Sequence, residues 1–298
     1  MNVHIIDHYH LGYPHVIASY VLESSLGPIL IETGPRPTLP NVLQGLANLG
    51  LKPDDIRHIF VTHIHLDHAG AAGWWAAQGA QIYVHPVGAP HLIDPTKLIQ
   101  SAARIYGDQM ERLWGEILPV PADKVTILPD NTTVTLGDIT LTAWDTPGHA
   151  THHHALVVDD WAFIGDLGGV RMPNTAWISV TAPPPEFHLE SWYRSLDRVE
   201  AAGLRRIYPT HYGPVDDVAA HLIGIRRELE NSAEFIRQHL LLGVERHDLI
   251  ALYTQWSREQ ALTAGVPDEV FAQYEAANPL FMSVDGITRY WRKMGLSQ

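Results

Sequence analysis

The run Thr62-His63-Ile64-His65-Leu66-Asp67-His68 sets three imidazoles and one carboxylate within six residues, immediately behind the apolar stretch His58 to Thr62. A short apolar stretch of that kind reads as a buried strand, and the polar run marks where it must turn into the next element. In α/β chains, sites gather where strands end at the carboxyl edge of a sheet. On a regular strand His63 and His65 share a face, and Asp67 and His68 follow at the turn. One short loop can thereby aim two pairs of ligands into one cleft. A single histidine there would read as an ordinary surface residue, and Asp67 alone as a helix cap. Four potential ligands in the order H-x-H-x-D-H read instead as a metal site.

Composition limits which site it can be. The 298 residues contain no cysteine and 19 histidines, so thiolate ligands, disulfides and cysteine nucleophiles are all excluded. Imidazole and carboxylate remain, a set that suits zinc and also iron or manganese. Twenty Lys and Arg against 33 Asp and Glu give a formal charge of −13. An acidic field repels phosphate backbones, and no basic cluster stands out, so a nucleic-acid partner is not expected. No apolar run approaches the ~20 residues that span a bilayer, which argues against a membrane partner. The first ten residues lack the charged and apolar regions of a signal peptide, so the expectation is a cytoplasmic protein acting on a small molecule.

Along the chain, eleven short β-rich runs are expected. They are Val3 to Tyr9, Val16 to Glu23, Pro28 to Glu32, His58 to Thr62, Gln81 to His85, Val125 to Leu128, Thr132 to Leu136, Ile139 to Trp144, Ala155 to Asp159, Trp161 to Ile164 and Arg206 to Pro209. Helical spacing is read at Asn41 to Leu49, Ala69 to Gln78, within Pro86 to Val120, and at Leu189 to Ala202. The prolines between Met172 and Glu186 predict a long loop. From about residue 214 every periodic segment is helical. The expected organisation is therefore an α/β catalytic domain at 1–213 and a helical extension at 214–298.

Three further positions repeat the pattern of a potential ligand just after a β-run, beside Gly or Pro. These are His149 in Thr146-Pro147-Gly148-His149, Asp166 after Ile164-Gly165, and His211 in Pro209-Thr210-His211-Tyr212-Gly213. Each alone is weak, since an Asp after Gly is usually a turn residue. Together with the H-x-H-x-D-H loop they form an ordered set of four separated motifs.

With those motifs the chain resembles the metallo-β-lactamase-fold hydrolase superfamily over roughly residues 1–213. The resemblance implies a four-layer αββα sandwich. It also implies two metal ions, zinc by default: His63, His65 and His149 on one, Asp67, His68 and His211 on the other, and Asp166 bridging both. A hydroxide between the metals is the implied nucleophile. Bound zinc brings water to a pKa of about 7, and two divalent ions against two aspartates leave a positive centre to hold hydroxide and an anionic intermediate. Asp67 is a further candidate to handle the proton.

Within that family, β-lactamases proper generally lack the bridging Asp, and two of their classes use a cysteine ligand. The resemblance is therefore to the branches that hydrolyse thioesters, lactones and other esters. The tail shows no basic clamp like that of the glutathione-binding glyoxalase II extension, and it reads as either a substrate cap or a homodimer interface. Two rival readings are a mononuclear iron persulfide dioxygenase and a low-turnover ligand-binding or regulatory protein. In the run His152-His153-His154, His153 is expected to be structural. Tyr212 is expected to pack. Tyr106, Trp114, Met172, Trp177, Phe281 and Met282 are candidates for the pocket.

Overall fold

The computed structural model of the chain describes residues 2–296. One sheet holds six strands in sequence order: β1 (Val3–Asp7), β2 (Ala18–Leu22), β3 (Ile29–Ile31), β4 (His58–Phe60), β5 (Gln81–Val84) and β6 (Val125–Ile127). β1 to β3 pair antiparallel, and β3 to β6 pair parallel. The β2–β3 turn closes where Gly27, at φ +111°, donates its N–H to the Ser24 carbonyl. The second sheet runs β11–β10–β9–β8–β7, formed by β7 (Thr133–Leu136), β8 (Ile139–Asp145), β9 (His154–Val158), β10 (Trp161–Phe163) and β11 (Arg206–Tyr208). Only its β10–β11 pair is parallel. All eleven expected strands are present, most of them a residue or more shorter at their ends.

Strand alternation builds the layers. Tyr20, Leu22, Ile29 and Ile31 point one way and meet Leu156, Val158 and Phe163 between the two sheets. Their neighbours Val21 and Leu30 point the other way, against Leu39, Val42 and Leu46 of α1 (Leu39–Asn48). Ala155, Val157 and Ile207 on the far side of the second sheet pack against Trp192, Leu196 and Val199 of α7 (Leu189–Ala201). The result is the expected αββα sandwich.

The expected helix over 69–78 is broken in two, α2 (Leu66–Ala69) and α3 (Ala72–Ala77). The break falls at Gly70. The Ala71 N–H leaves the helix ladder and donates to the Gly34 carbonyl, and a Cβ on Gly70 would lie 2.3 Å from the Leu66 carbonyl oxygen. Between β5 and β6 lie α4 (Ala89–Ile93), α5 (Thr96–Tyr106) and α6 (Met110–Trp114). After β11 the chain is helical: α8 (Val218–Leu241), α9 (Arg246–Thr263), α10 (Asp268–Ala277) and α11 (Leu280–Lys293). Leu222, Ile225, Leu229 and Ile236 of α8 join the same apolar cluster as α7 and the outer face of the second sheet. No helix among the described residues is long and apolar enough to cross a membrane.

Candidate metal centre

The seven residues singled out in the sequence converge on one end of the sandwich. β4 ends at Phe60, so His63 and His65 do not share a strand face as expected. They lie on the connecting turn, with His65 as the N-cap of α2 and Asp67 and His68 inside that helix. Abrupt turning brings them together where strand pleating would not. His149 stands between β8 and β9, Asp166 in the 3-10 turn after β10, and His211 after β11. Two glycines make room. Gly148 has φ +142°, and a Cβ there would come within 2.4 Å of the Trp192 Cα. Gly165 has φ +46°, and a Cβ would lie 2.4 Å from Thr62 Oγ1.

Two triads form. His63 Nε2 lies 3.0 Å from His65 Nδ1, and His149 Nε2 lies 3.2 Å from the former and 2.8 Å from the latter. In the other, Asp67 Oδ2 lies 3.5 Å from His68 Nε2 and 3.4 Å from His211 Nε2. Asp166 stands between them. Its Oδ1 is 3.0 Å from His68 Nε2 and 3.3 Å from His211 Nε2, and its Oδ2 is 3.3 Å from His149 Nε2. Each triad has its ligand atoms within 4.8 Å of one another.

Outer partners fix the rings. His149 Nδ1 donates to the Thr181 carbonyl at 2.8 Å, and His211 Nδ1 to the Val16 carbonyl at 2.6 Å. His68 Nδ1 faces Glu32 Oε1 at 3.1 Å. With the proton assigned to Nδ1 in each case, the Nε2 lone pair points inward, the arrangement a metal-bound imidazole requires. His68 Nε2, His211 Nε2 and Asp166 Oδ1 are buried with no aligned hydrogen-bond partner. Buried polar atoms of that kind need a partner, and a cation shared among these lone pairs satisfies all of them. The residues therefore fit a metal centre.

The electrostatics divide along the same line. Burial, reinforced by the neighbouring imidazoles, holds His63 and His65 well below the usual histidine range, and burial also lowers His149. These three stay neutral. Burial also opposes charge on His211 and His68, but the carboxylates outweigh it. His211 is pushed up to about 9 by Asp166 and Asp67. Asp67, Asp166 and Glu32 hold His68 well above its usual value.

Glu32 was not anticipated. Its carboxylate is fully buried and accepts from Thr62 Oγ1 at 2.5 Å, Thr62 N at 3.2 Å and Thr210 Oγ1 at 3.1 Å. The signal was present as a lone carboxylate closing the apolar run Ile29-Leu30-Ile31.

The His152–His154 run diverges. His153 Nδ1 meets Thr146 Oγ1 at 2.8 Å, and His154 Nε2 donates to the Val61 carbonyl, so both are structural. His152 pairs with Glu186 at 3.0 Å and lies near His65 on the wall of the cleft. Tyr212 packs on the inter-sheet core and edges His15.

A cleft of about 260 Å³ opens over His65, Asp67, His149 and Asp166. Leu66, Leu98, Ala102, Tyr106, Trp114 and Met282 give it an apolar wall. Of the six pocket candidates, Tyr106, Trp114 and Met282 line it. Met172 and Trp177 are instead core residues, and Phe281 lies outside the cleft lining.

A model of the metallo-beta-lactamase superfamily matches residues 12–211. A metallo-beta-lactamase fold-containing protein of Sulfurisphaera tokodaii is 26% identical over 201 residues, which is 66% of this chain and 73% of that protein. Among solved structures, a metallo-beta-lactamase family protein from Thermus thermophilus aligns with 98% of this chain and 94% of its own, at TM-score 0.71 and 22% identity. An archaeal metallo-beta-lactamase superfamily protein from Sulfolobus tokodaii aligns over 78% and 86%, at TM-score 0.64 and 24% identity. At those identities the structural likeness shows the fold.

Proposed function

The chain belongs to the metallo-beta-lactamase superfamily, and from that premise we propose that it is a dinuclear metal-dependent hydrolase of a small ester, thioester or lactone. The observation that carries this reading is the division of Asp166, with Oδ2 turned to the triad of His149 and Oδ1 to that of His68 and His211. A carboxylate so divided can bridge two ions. His63, His65 and His149 would hold one and Asp67, His68 and His211 the other, zinc being the default and iron or manganese compatible with the donor set. When bound, such a pair supplies hydroxide at neutral pH and a Lewis acid for a developing oxyanion.

The protein's own residues do the rest. In the metal-free chain burial would raise the Asp67 carboxyl, but His68 and His211 outweigh it and hold it well below the usual carboxylate range. Asp67 also lines the cleft, so it is placed to take the proton released as the acyl group is attacked. The apolar wall of Leu98, Tyr106, Trp114 and Met282 favours a partly apolar acyl group and keeps water from the reacting end. Met282 belongs to the helical extension, which supports reading the extension as a cap on the cleft.

The test joins elemental analysis of protein purified without added metal or chelator to a hydrolysis screen over thioesters, lactones and simple esters. Two ions per chain, with turnover lost in Asp166→Ala, are expected. Full activity in Asp166→Ala with both ions still bound overturns the mechanism. One iron with thiol-dependent oxygen uptake replaces it with the dioxygenase reading.

A further inference from the structure

The ring of His149 is held from outside the αββα core. We propose that Asn278 and Ser283, at the junction of α10 and α11 in the helical extension, are positioning residues for His149 and act through the segment Ser179–Ala182. The inference rests on the reading of His149 as a metal ligand.

The chain of contacts is short and buried. Thr181 meets His149 Nδ1 with both its carbonyl, at 2.8 Å, and its hydroxyl, at 3.1 Å. The residues on either side of Thr181 are tied to the extension. The carbonyl of Val180 accepts from Asn278 Nδ2 at 2.9 Å and from Ser283 Oγ at 3.1 Å. The N–H of Ala182 donates to Ser283 Oγ at 3.3 Å. Asn278 Nδ2 also reaches Ser179 Oγ at 2.9 Å, and its Oδ1 lies 3.3 Å from Ser283 Oγ. Asn278, Ser283, Thr181 and Ala182 are all buried. Upstream in the same loop, Tyr274 of α10 donates to the Trp177 carbonyl at 2.8 Å and accepts from the Met172 N–H at 3.1 Å.

This loop needs such a clasp. Between Gly169 and α7 its ladder pairing among the described residues consists of isolated bridges at Val170 and Ser179. A segment without a ladder keeps one conformation only where its buried polar groups find fixed partners elsewhere. α11 also approaches so closely that a Cβ on Gly286 would stand 1.9 Å from the Ala182 carbonyl oxygen. The clasp and this close approach set the height of the Thr181 carbonyl. That carbonyl in turn keeps the proton on His149 Nδ1 and turns Nε2 toward His63 and His65. The extension is thereby a working part of the first triad as well as a wall of the cleft.

The test compares Asn278→Ala and Ser283→Ala with Tyr253→Phe, all in the full chain. Tyr253→Phe removes the Tyr253–Ser232 hydrogen bond between α9 and α8 of the same extension, a bond that involves no residue of the clasp, and controls for general loosening. The first readout is the imidazole ¹⁵N spectrum of the metal-free protein. The His149 signals are expected to shift or broaden in both alanine variants and to stay in place in Tyr253→Phe. The second is Co²⁺ titration, with about a tenfold loss of affinity expected at the His63/His65/His149 site and less than about threefold at the other, the lower end of what outer partners of a ligand are worth. Unchanged His149 signals and unchanged affinities, with a melting temperature lowered as in Tyr253→Phe, would reduce the clasp to ordinary packing and overturn the proposal. If the wild-type chain takes up no metal at all, the metal-site reading fails. The clasp then stands or falls on the imidazole signals alone.

Discussion

The Glu32 carboxylate lies 3.1 Å from His68 Nδ1 while the opposite nitrogen of the same ring faces Asp166 at 3.0 Å, so one imidazole is held between two buried carboxylates. The parallel pairing of β3 with β4 sets the distance, because it places the end of one strand beside the start of the ligand loop. Glu32 is also the acceptor for two hydroxyls and one backbone N–H, so it orders the loop and the ring together. Glu32→Gln keeps the shape and removes the charge that makes His68 a better donor. It is expected to weaken the ion at Asp67, His68 and His211 by about 10- to 100-fold, with the His63/His65/His149 site nearly unaffected. Competition titration with a chromophoric chelator measures both. Equal loss at the two sites would count against a specific partnership with His68.

The two triads also differ in what binding an ion must displace. A metal ligand has to be deprotonated. Burial keeps His63, His65 and His149 neutral, so an ion there competes with few protons. His211, raised to about 9 by Asp166 and Asp67 against the effect of burial, carries a proton at neutral pH in the metal-free chain. Its folded value lies above the unfolded one, so its stabilising charge pairing is complete below about 6.5 and is lost as pH rises through about 9. With His68 also held well above its usual value by Asp67, Asp166 and Glu32, affinity at the second site is therefore expected to climb steeply with pH while the first site changes little. Calorimetry in buffers of different ionisation enthalpy should show about two protons released with the second ion, one from His211 and one from His68. Equal proton release at both sites would contradict the division.

The strands and the loop of candidate ligands were legible because their signals are local. Apolar runs such as His58 to Thr62 or Trp161 to Ile164, bounded by turn residues, leave little choice of element. The H-x-H-x-D-H loop carries four of the candidate ligands within six residues. The partners of those ligands were not legible, because they are distant in sequence. Glu32 meets His68 across 36 residues, and Asn278 meets Val180 across 98. No periodicity announces such a pair. Gly70 shows the same limit on a smaller scale, since its helix ends through a contact with Gly34 that only the folded sheet creates. Met172 and Trp177 had the composition of pocket residues, yet the extension packs over them. Tyr106 of α5 and Trp114 of α6 pack in a separate small cluster with Leu66 and remain on the cleft lining.

Trp114 provides a direct test of the apolar wall. It packs edge-on to Tyr106 at 5.1 Å between centroids, stacks on His10 at 5.9 Å and lines the cleft. Each buried methylene is worth about 0.8 kcal/mol, or roughly a fourfold gain in kcat/KM while the acyl chain still finds apolar surface. In the wild type, kcat/KM is expected to rise over the first few added methylenes. Trp114→Ala should flatten that rise while leaving metal content unchanged. A chain-length profile identical in both proteins would mean that the acyl group lies elsewhere.

Glu228 gives a stability test independent of the metal centre. It lies buried in α8, with Ser232 Oγ 3.5 Å away as its hydrogen-bond partner. Burial pushes its carboxyl up to about 7 from an ordinary 4.5, so the folded chain binds a proton there that the unfolded chain releases. The folded value is the higher one. Stability is therefore greatest with Glu228 protonated, begins to fall as pH passes about 4.5, and has lost the full contribution above about 7. The shift corresponds to about 3 kcal/mol as an upper bound, since relaxation and water entry relieve part of the strain. Glu228→Gln removes the ionisation and keeps the shape. It is expected to melt several degrees above wild type at pH 8 and close to wild type at pH 5, read by thermal denaturation of the metal-free protein at the two pH values. A difference that is the same at both pH values would assign the effect to packing and not to the buried charge.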